Sequence, residues 1–197
     1  MNPRTDDLII TDTSPLITLA IADHLHVLTM SRIRIVIPDA VFVEATRIEG
    51  APGASRLIEW AADHDDLVSI RPTEIGLDQI NRLKTGRTIR GMGEAAALEV
   101  LETTARQHPT RHLFLLFEDR DIEKRSIILP PNAYAIATGD WLRVLEMAGL
   151  IQSADQILDR AAAEGRTMER QRMQLSKPTA IDAANAAVAK RSPGHER

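Results

Sequence analysis

Residues 8–16 read Leu-Ile-Ile-Thr-Asp-Thr-Ser-Pro-Leu, an apolar run that stops at an acid and resumes after a serine–proline pair. The run is continuous rather than alternating, which is the pattern of a strand covered on both faces. Proline lacks an amide hydrogen and is tolerated in the first helical turn, where that hydrogen has no partner anyway. Ser14 is therefore expected to cap a helix that Pro15 opens. Asp12 falls where the strand gives way to the helix. In an open parallel sheet such junctions share one edge, at the carboxyl ends of the strands, where ligands bind.

The same alternation continues along the chain. Apolar runs of strand length occupy 8–12, 33–37, 67–70, 113–117 and 133–137. Segments of helical periodicity fill 16–29, 41–47, 54–62, 73–84, 94–107 and 141–147. Strands alternating with helices predict an α/β fold with a parallel sheet covered on both sides. Pro38-Asp39 repeats the opening role of Ser14-Pro15. Gly86 and Gly91 bracket a loop, Pro130-Pro131 break the chain before the last strand, and Gly149 ends the helix that begins near Trp141. Residues 1–151 read as the domain and 152–197 as a helical extension or tail. Ser153 caps a helix over 153–164. From Gly165 the chain is rich in Arg, Ala, Gln and Pro, as in an exposed helix, a partner-binding arm or a disordered tail.

Composition narrows the function classes. Hydrophobic residues make up 44% of the 197, but aromatic residues only 3%, so the core is built from Ile, Leu, Val and Ala. Recognition by stacking bases on aromatic side chains is thereby disfavoured. The absence of cysteine excludes disulfides, thiolate metal sites and a thiol nucleophile. No run reaches membrane-spanning length and no basic-then-apolar leader opens the chain, so a soluble cytoplasmic protein is expected. The formal charge is −4. Basic residues are nonetheless concentrated at Arg82, Lys84, Arg87 and Arg90, and again at Arg106, His108, Arg111 and His112. Either stretch suits phosphate binding or a solvated surface.

Carboxylates recur at the strand ends. An ionised Asp12 at the end of a buried strand needs a partner, and with Ser14 available as cap, a metal ion accounts for it better than capping. Ser14 itself either caps or orients a water or phosphate. Glu44, in IPDAVFVEA, is explained by a helix dipole alone. The same explanation serves Glu94 in GMGEAAAL, although the glycine turn before it points to a close approach by another group. Asp119 and Asp121, in LLFEDRDI, read as one direct and one water-mediated metal ligand, or as a solvated turn. Arg120 between them contacts phosphate or pairs with its neighbours, while Glu118 and Asp140 read as surface acids. Oxygen-only clusters of this kind suit Mg²⁺ or Mn²⁺, the usual equipment for phosphodiester hydrolysis.

Taken in order, these motifs resemble the PIN-domain nucleases, and among them the VapC-type ribonuclease toxins. ITDTSPLITL resembles the family's D-x-S strand-to-helix start, PDAVFVE its P-x-x-V-x-x-E helix, and GMGEAAAL its G-x-G-E-x-x-A-L helix. LLFEDRDI resembles the stretch in which Thr-x-Asp precedes a further acid, with Phe117 standing in place of the threonine. ATGDWLRVLEMAGLI resembles the closing strand and helix. The resemblance implies a three-layer α/β/α fold around a five-stranded parallel sheet and a metal-dependent endoribonuclease. It implies catalytic roles for Asp12, Glu44, Glu94, Asp119 and Asp121, with Mg²⁺ or Mn²⁺ on Asp12, Glu94, Asp119 and Asp121. Ser14, Arg120, Arg87 and Arg90 would meet the RNA. A homodimer and a cognate antitoxin are implied partners. A phosphatase forming an aspartyl-phosphate is disfavoured, because the second Asp that such enzymes need is here Ser14. A PIN-like module that has kept the fold but lost catalysis is the other reading, and metal binding separates the two.

Overall fold

The computed structural model describes residues 7–48, 50–86, 91–118 and 129–191. Strands β1 (Leu8–Thr11), β2 (Arg34–Pro38), β3 (Val68–Arg71), β4 (Leu113–Phe117) and β5 (Ala133–Ala137) form one sheet in the order β3-β2-β1-β4-β5. Every neighbouring pair is parallel. The described helices are α1 (Thr13–Ile21), α2 (Val27–Met30), α3 (Asp39–Thr46), α4 (Ala54–Asp63), α5 (Glu74–Lys84), α6 (Met92–Gln107), α7 (Thr138–Met147), α8 (Ala154–Ala163) and α9 (Pro178–Ala189). A 3₁₀ turn at Arg170–Arg172 precedes the last of them. This is the three-layer α/β/α fold expected of the sequence.

The continuous apolar strands are explained by cover on both faces. Leu8 and Ile10 of β1, with Leu113 and Leu115 of β4, pack against Ala97, Val100, Leu101 and Ala105 of α6. Ile9, Phe114 and Leu116 turn the other way, onto Leu16 and Leu19 of α1, Trp141 of α7, and Ile157 and Leu158 of α8. Trp141 is fully buried there.

Two local expectations are corrected. The helix expected over 16–29 is broken, because Asp23 takes a left-handed φ of 62° and the chain turns before α2. The first helix also begins earlier than Ser14-Pro15 suggested. Asp12, not Ser14, occupies the N-cap position, with extended φ/ψ of −83° and 173°, and its side chain makes no capping hydrogen bond. Pro15 still lies within the first turn, where its missing amide hydrogen has no intrahelical partner to lose.

Beyond α7 the chain returns to the domain. Ser153 caps α8, accepting from the Gln156 amide at 3.3 Å. Gly165, at φ 91°, turns the chain back across the start of α7. There the Ala137 amide donates to Ser176 Oγ at 2.8 Å and the Gly139 amide to Gln171 Oε1 at 3.0 Å. Helix α9 buries Ala180, Ala184, Ala187 and Val188. Asp140, read from the sequence as a surface acid, is 3% exposed and accepts from the Leu175 and Ser176 amides. The seam is tight: a β-carbon on Gly139 would lie 1.8 Å from the Gln171 carbonyl oxygen. A backbone atom cannot yield as a side chain can, so Gly139→Ala should destabilise by about 2 kcal/mol. A thermal melt should register that as a fall of roughly 4–8 °C, and an unchanged melt would show that residue 171 does not rest on Gly139 in solution.

Candidate active site at the carboxyl edge of β1 and β4

The strand order reverses between β1 and β4, where an open parallel sheet forms a crevice at its carboxyl edge. Thr11 is level with Leu116, and the Asp12 amide donates to the Leu116 carbonyl at 3.0 Å. Asp12 thus leaves β1 beside Phe117, and Glu118 follows one residue past the end of β4. Asp12 is 8% exposed.

Glu44 ties three segments together at this edge. Its Oε2 accepts from the Thr13 hydroxyl at 2.9 Å, and its Oε1 accepts from the Gly93 amide at 3.0 Å. Gly93 lies in the first turn of α6, so the helix dipole that Glu44 serves is that of α6 and not that of its own α3. The glycine turn is now explained. Gly91 caps α6 at φ 80°, and a β-carbon on Gly93 would lie 2.6 Å from Glu44 Oε2. The close approach anticipated at GMGE is the carboxylate of Glu44, and it fixes the turn on which Glu94 sits.

Glu118 is the residue that the sequence reading undervalued. Its side chain is 7% exposed and pairs with Arg166 at 3.1 Å. The Thr18 hydroxyl donates to the same oxygen, Oε2, at 2.9 Å, whereas Oε1 is buried with no hydrogen-bond partner. Strand parity was the available clue: Phe114 and Leu116 face α1, and Glu118 continues that series past the strand end.

Residues 8–108 match a family model described as a PIN domain, DUF3368. The chain belongs to the PIN-domain family. No curated protein matches the chain. The matched stretch spans β1 to the end of α6, just over half of the chain, and takes in Asp12, Glu44 and Glu94. Strand β4, Glu118 and helices α7 to α9 lie beyond it. PIN domains are in general nucleases.

In this PIN domain, Asp119, Arg120 and Asp121 lie outside the described residues, as do Arg87 and Arg90. Among the described residues no three acidic or imidazole side chains gather into a group that could hold a metal ion. Of the four ligands expected from the sequence, Asp12 and Glu94 are therefore the two that the structure places. The described donors are all oxygens, and one of them, Glu118 Oε1, is buried without a partner. That chemistry fits a hard divalent cation.

The two basic stretches separate. Arg82 pairs with Asp78 at 2.6 Å on α5, and the segment that follows ends at Gly91, next to the Glu44 contact. Arg106, in the last turn of α6, and His108, Arg111 and His112, between α6 and β4, instead lie at the amino edge of the sheet. There the His112 carbonyl accepts from the Leu8 amide, and Asn132 donates to the carbonyls of His108 and Arg111. A phosphate bound at that patch would be on the far side of the sheet from Asp12. Among the described residues no helix is long and apolar enough to cross a membrane.

Proposed function

We propose that this PIN domain is a metal-dependent endoribonuclease that hydrolyses RNA phosphodiester bonds at the carboxyl edge of β1 and β4. The observation that carries the reading is the strand-order reversal between β1 and β4, at whose carboxyl edge Asp12 follows β1 and Glu44 is bound to the turn that bears Glu94. Asp12 and Glu94 would hold Mg²⁺ or Mn²⁺, joined by Asp119 and Asp121 beyond the described residues. When bound, the ion would neutralise charge at the scissile phosphate and acidify a coordinated water. The chain's own part is placement. Glu44 locks the start of α6 against α1, so Asp12 and Glu94 keep a fixed relation. The amides opening α1 and α6 favour an anion at this edge. The likeness of five ordered motifs to VapC-type toxins supports the further step that the activity is a toxin's, restrained by an antitoxin.

The test is cleavage of a mixed pool of structured RNAs with Mn²⁺, with Mg²⁺ and with chelator, beside Asp12→Asn. Either metal should support cleavage and chelator should stop it. Removing one anionic ligand forfeits several kcal/mol of transition-state stabilisation, so Asp12→Asn should be at least about 100-fold slower. Cleavage that persists in chelator, or an Asp12→Asn variant as fast as the parent, would overturn the reading. A chain that neither cuts RNA nor binds Mn²⁺ would be the inert PIN-like module.

A further inference from the structure

Arg71 ends β3, the outer strand of the sheet. Ser69 is level with Val36, which packs against α6, so strand alternation turns both Ser69 and Arg71 to the α6 face. There Arg71 Nη1 donates to the Thr104 hydroxyl at 2.7 Å. Thr104 lies in the last turn of α6 and is buried, so it fixes the guanidinium in place. That hydroxyl is neutral, and among the described residues no carboxylate pairs with Arg71. Glu99 of the same helix is taken up elsewhere, accepting from the Glu74 and Ile75 amides at 2.9 and 3.2 Å. A second guanidinium, that of Arg111, stands close enough to be felt: burial first, and the Arg111 charge second, hold the Arg71 pKa below the ordinary arginine value. Arg34 shares the face, being level with Leu8, which also packs against α6.

The dipole at the carboxyl end of α6 favours a cation, and that accounts for one guanidinium. It does not account for two that repel, one of them half withdrawn from water. An anion between them would relieve both costs. The bond to Thr104 uses one of the five N–H donors of Arg71, and the planar fork that remains matches a phosphate in two-point contact. We propose that Arg71, held by Thr104 and reinforced by Arg111, is a subsite for a backbone phosphate of the RNA, at the outer margin of the sheet and separate from the cleavage edge. The inference rests on the nuclease reading above. Strand β3 is two strands from β1, about 10 Å at the usual strand spacing, so a phosphate held here is not the scissile one. The contact grips the RNA and fixes its register without reading its bases.

The test is binding of the same pool of structured RNAs, fluorescently labelled, to the full chain across a salt series, in chelator so that nothing is cut. A hydrogen bond to a charged group corresponds to about tenfold in affinity. Arg71→Gln should weaken RNA binding by that factor and flatten the slope of log affinity on log salt by about 1, the signature of one lost phosphate contact. Arg71→Lys should keep the slope and recover part of the affinity, since it retains the charge but not the fork. In cleavage with Mn²⁺, KM should rise while kcat holds, because the contact is the same in substrate and transition state. Arg172→Gln is the control: Arg172 pairs with Asp155 and Asp159, and its variant should bind as the parent does. If Arg71→Gln does not fold, Arg111→Gln decides, with affinity and slope expected to fall in the same sense. Parental affinity and slope in Arg71→Gln would overturn this inference, and the nuclease reading would stand as long as the parent cuts RNA. Lost affinity at an unchanged slope would make Arg71 a structural tie between β3 and α6 and overturn it as well. Displacement of the RNA by inorganic phosphate at equal phosphate concentration would assign the site to free phosphate and also overturn it. A parent that neither binds nor cuts RNA would overturn both readings.

Discussion

Asp140→Ala is expected to destabilise the protein by about 3 kcal/mol, a fall of roughly 6–12 °C in melting temperature. The carboxylate stands in the first turn of α7, where the helix dipole favours it. Its Oδ2 accepts from the Leu175 amide at 2.9 Å and the Ser176 amide at 2.7 Å, while Oδ1 lies 3.4 Å from Arg143. Alanine would leave both amides without an acceptor, at about 1–3 kcal/mol for each that stays buried. Asp140→Asn keeps an acceptor oxygen but not the charge, so its loss should be smaller. Hydrogen exchange at Leu175 and Ser176 should speed up in step with the melt. An alanine variant that melts with the parent would mean that these amides do not depend on Asp140.

Gly93→Ala should behave in the opposite manner, slowing RNA cleavage about 100-fold while the fold survives. The added methyl would meet Glu44 Oε2 at 2.6 Å and Thr13 Oγ1 at 2.7 Å. Glu44 Oε2 is the end of a flexible side chain and swings aside, and Thr13 Oγ1 moves by a change of χ1 rotamer, so the backbone stays. Alanine also exceeds glycine in helix propensity by up to about 1 kcal/mol, which offsets part of the lost bonding. What does not survive is the tie between α1, α3 and α6, and displacement of reacting groups by about 1 Å commonly lowers a rate about 100-fold. Parallel melts and cleavage assays read the two effects separately. Full activity in this variant would show that the tie has no part in catalysis.

Much of this architecture was legible in the residues. Short apolar runs such as Leu-Phe-Leu-Leu-Phe at 113–117 read as buried strands, and all five such runs supply strands of the sheet. Asp12, Glu44 and Glu94 were legible as junction acids, because position relative to a strand or helix end is a local property. What Glu44 touches was not: its partners, Thr13 and Gly93, are 31 and 49 residues away. Glu118 and Asp140 were misread for the same reason. Surface acids and buried acids are the same residue types, and apart from strand parity at Glu118 it is partners distant in sequence, Thr18 and residues 166–176, that tell them apart. The break in the first helix at Asp23 has a different origin, a left-handed residue with no glycine to announce it.

The grip on Glu118 also has a timetable. Arg166 follows Glu118 by 48 residues, and at about 5–20 residues per second of synthesis that interval lasts roughly 2–10 s. The matched stretch, with Asp12, Glu44 and Glu94, leaves the ribosome first, while the carboxylate of Glu118 still lacks Arg166. A growing chain therefore carries an unfinished edge until α8 and α9 close over α7.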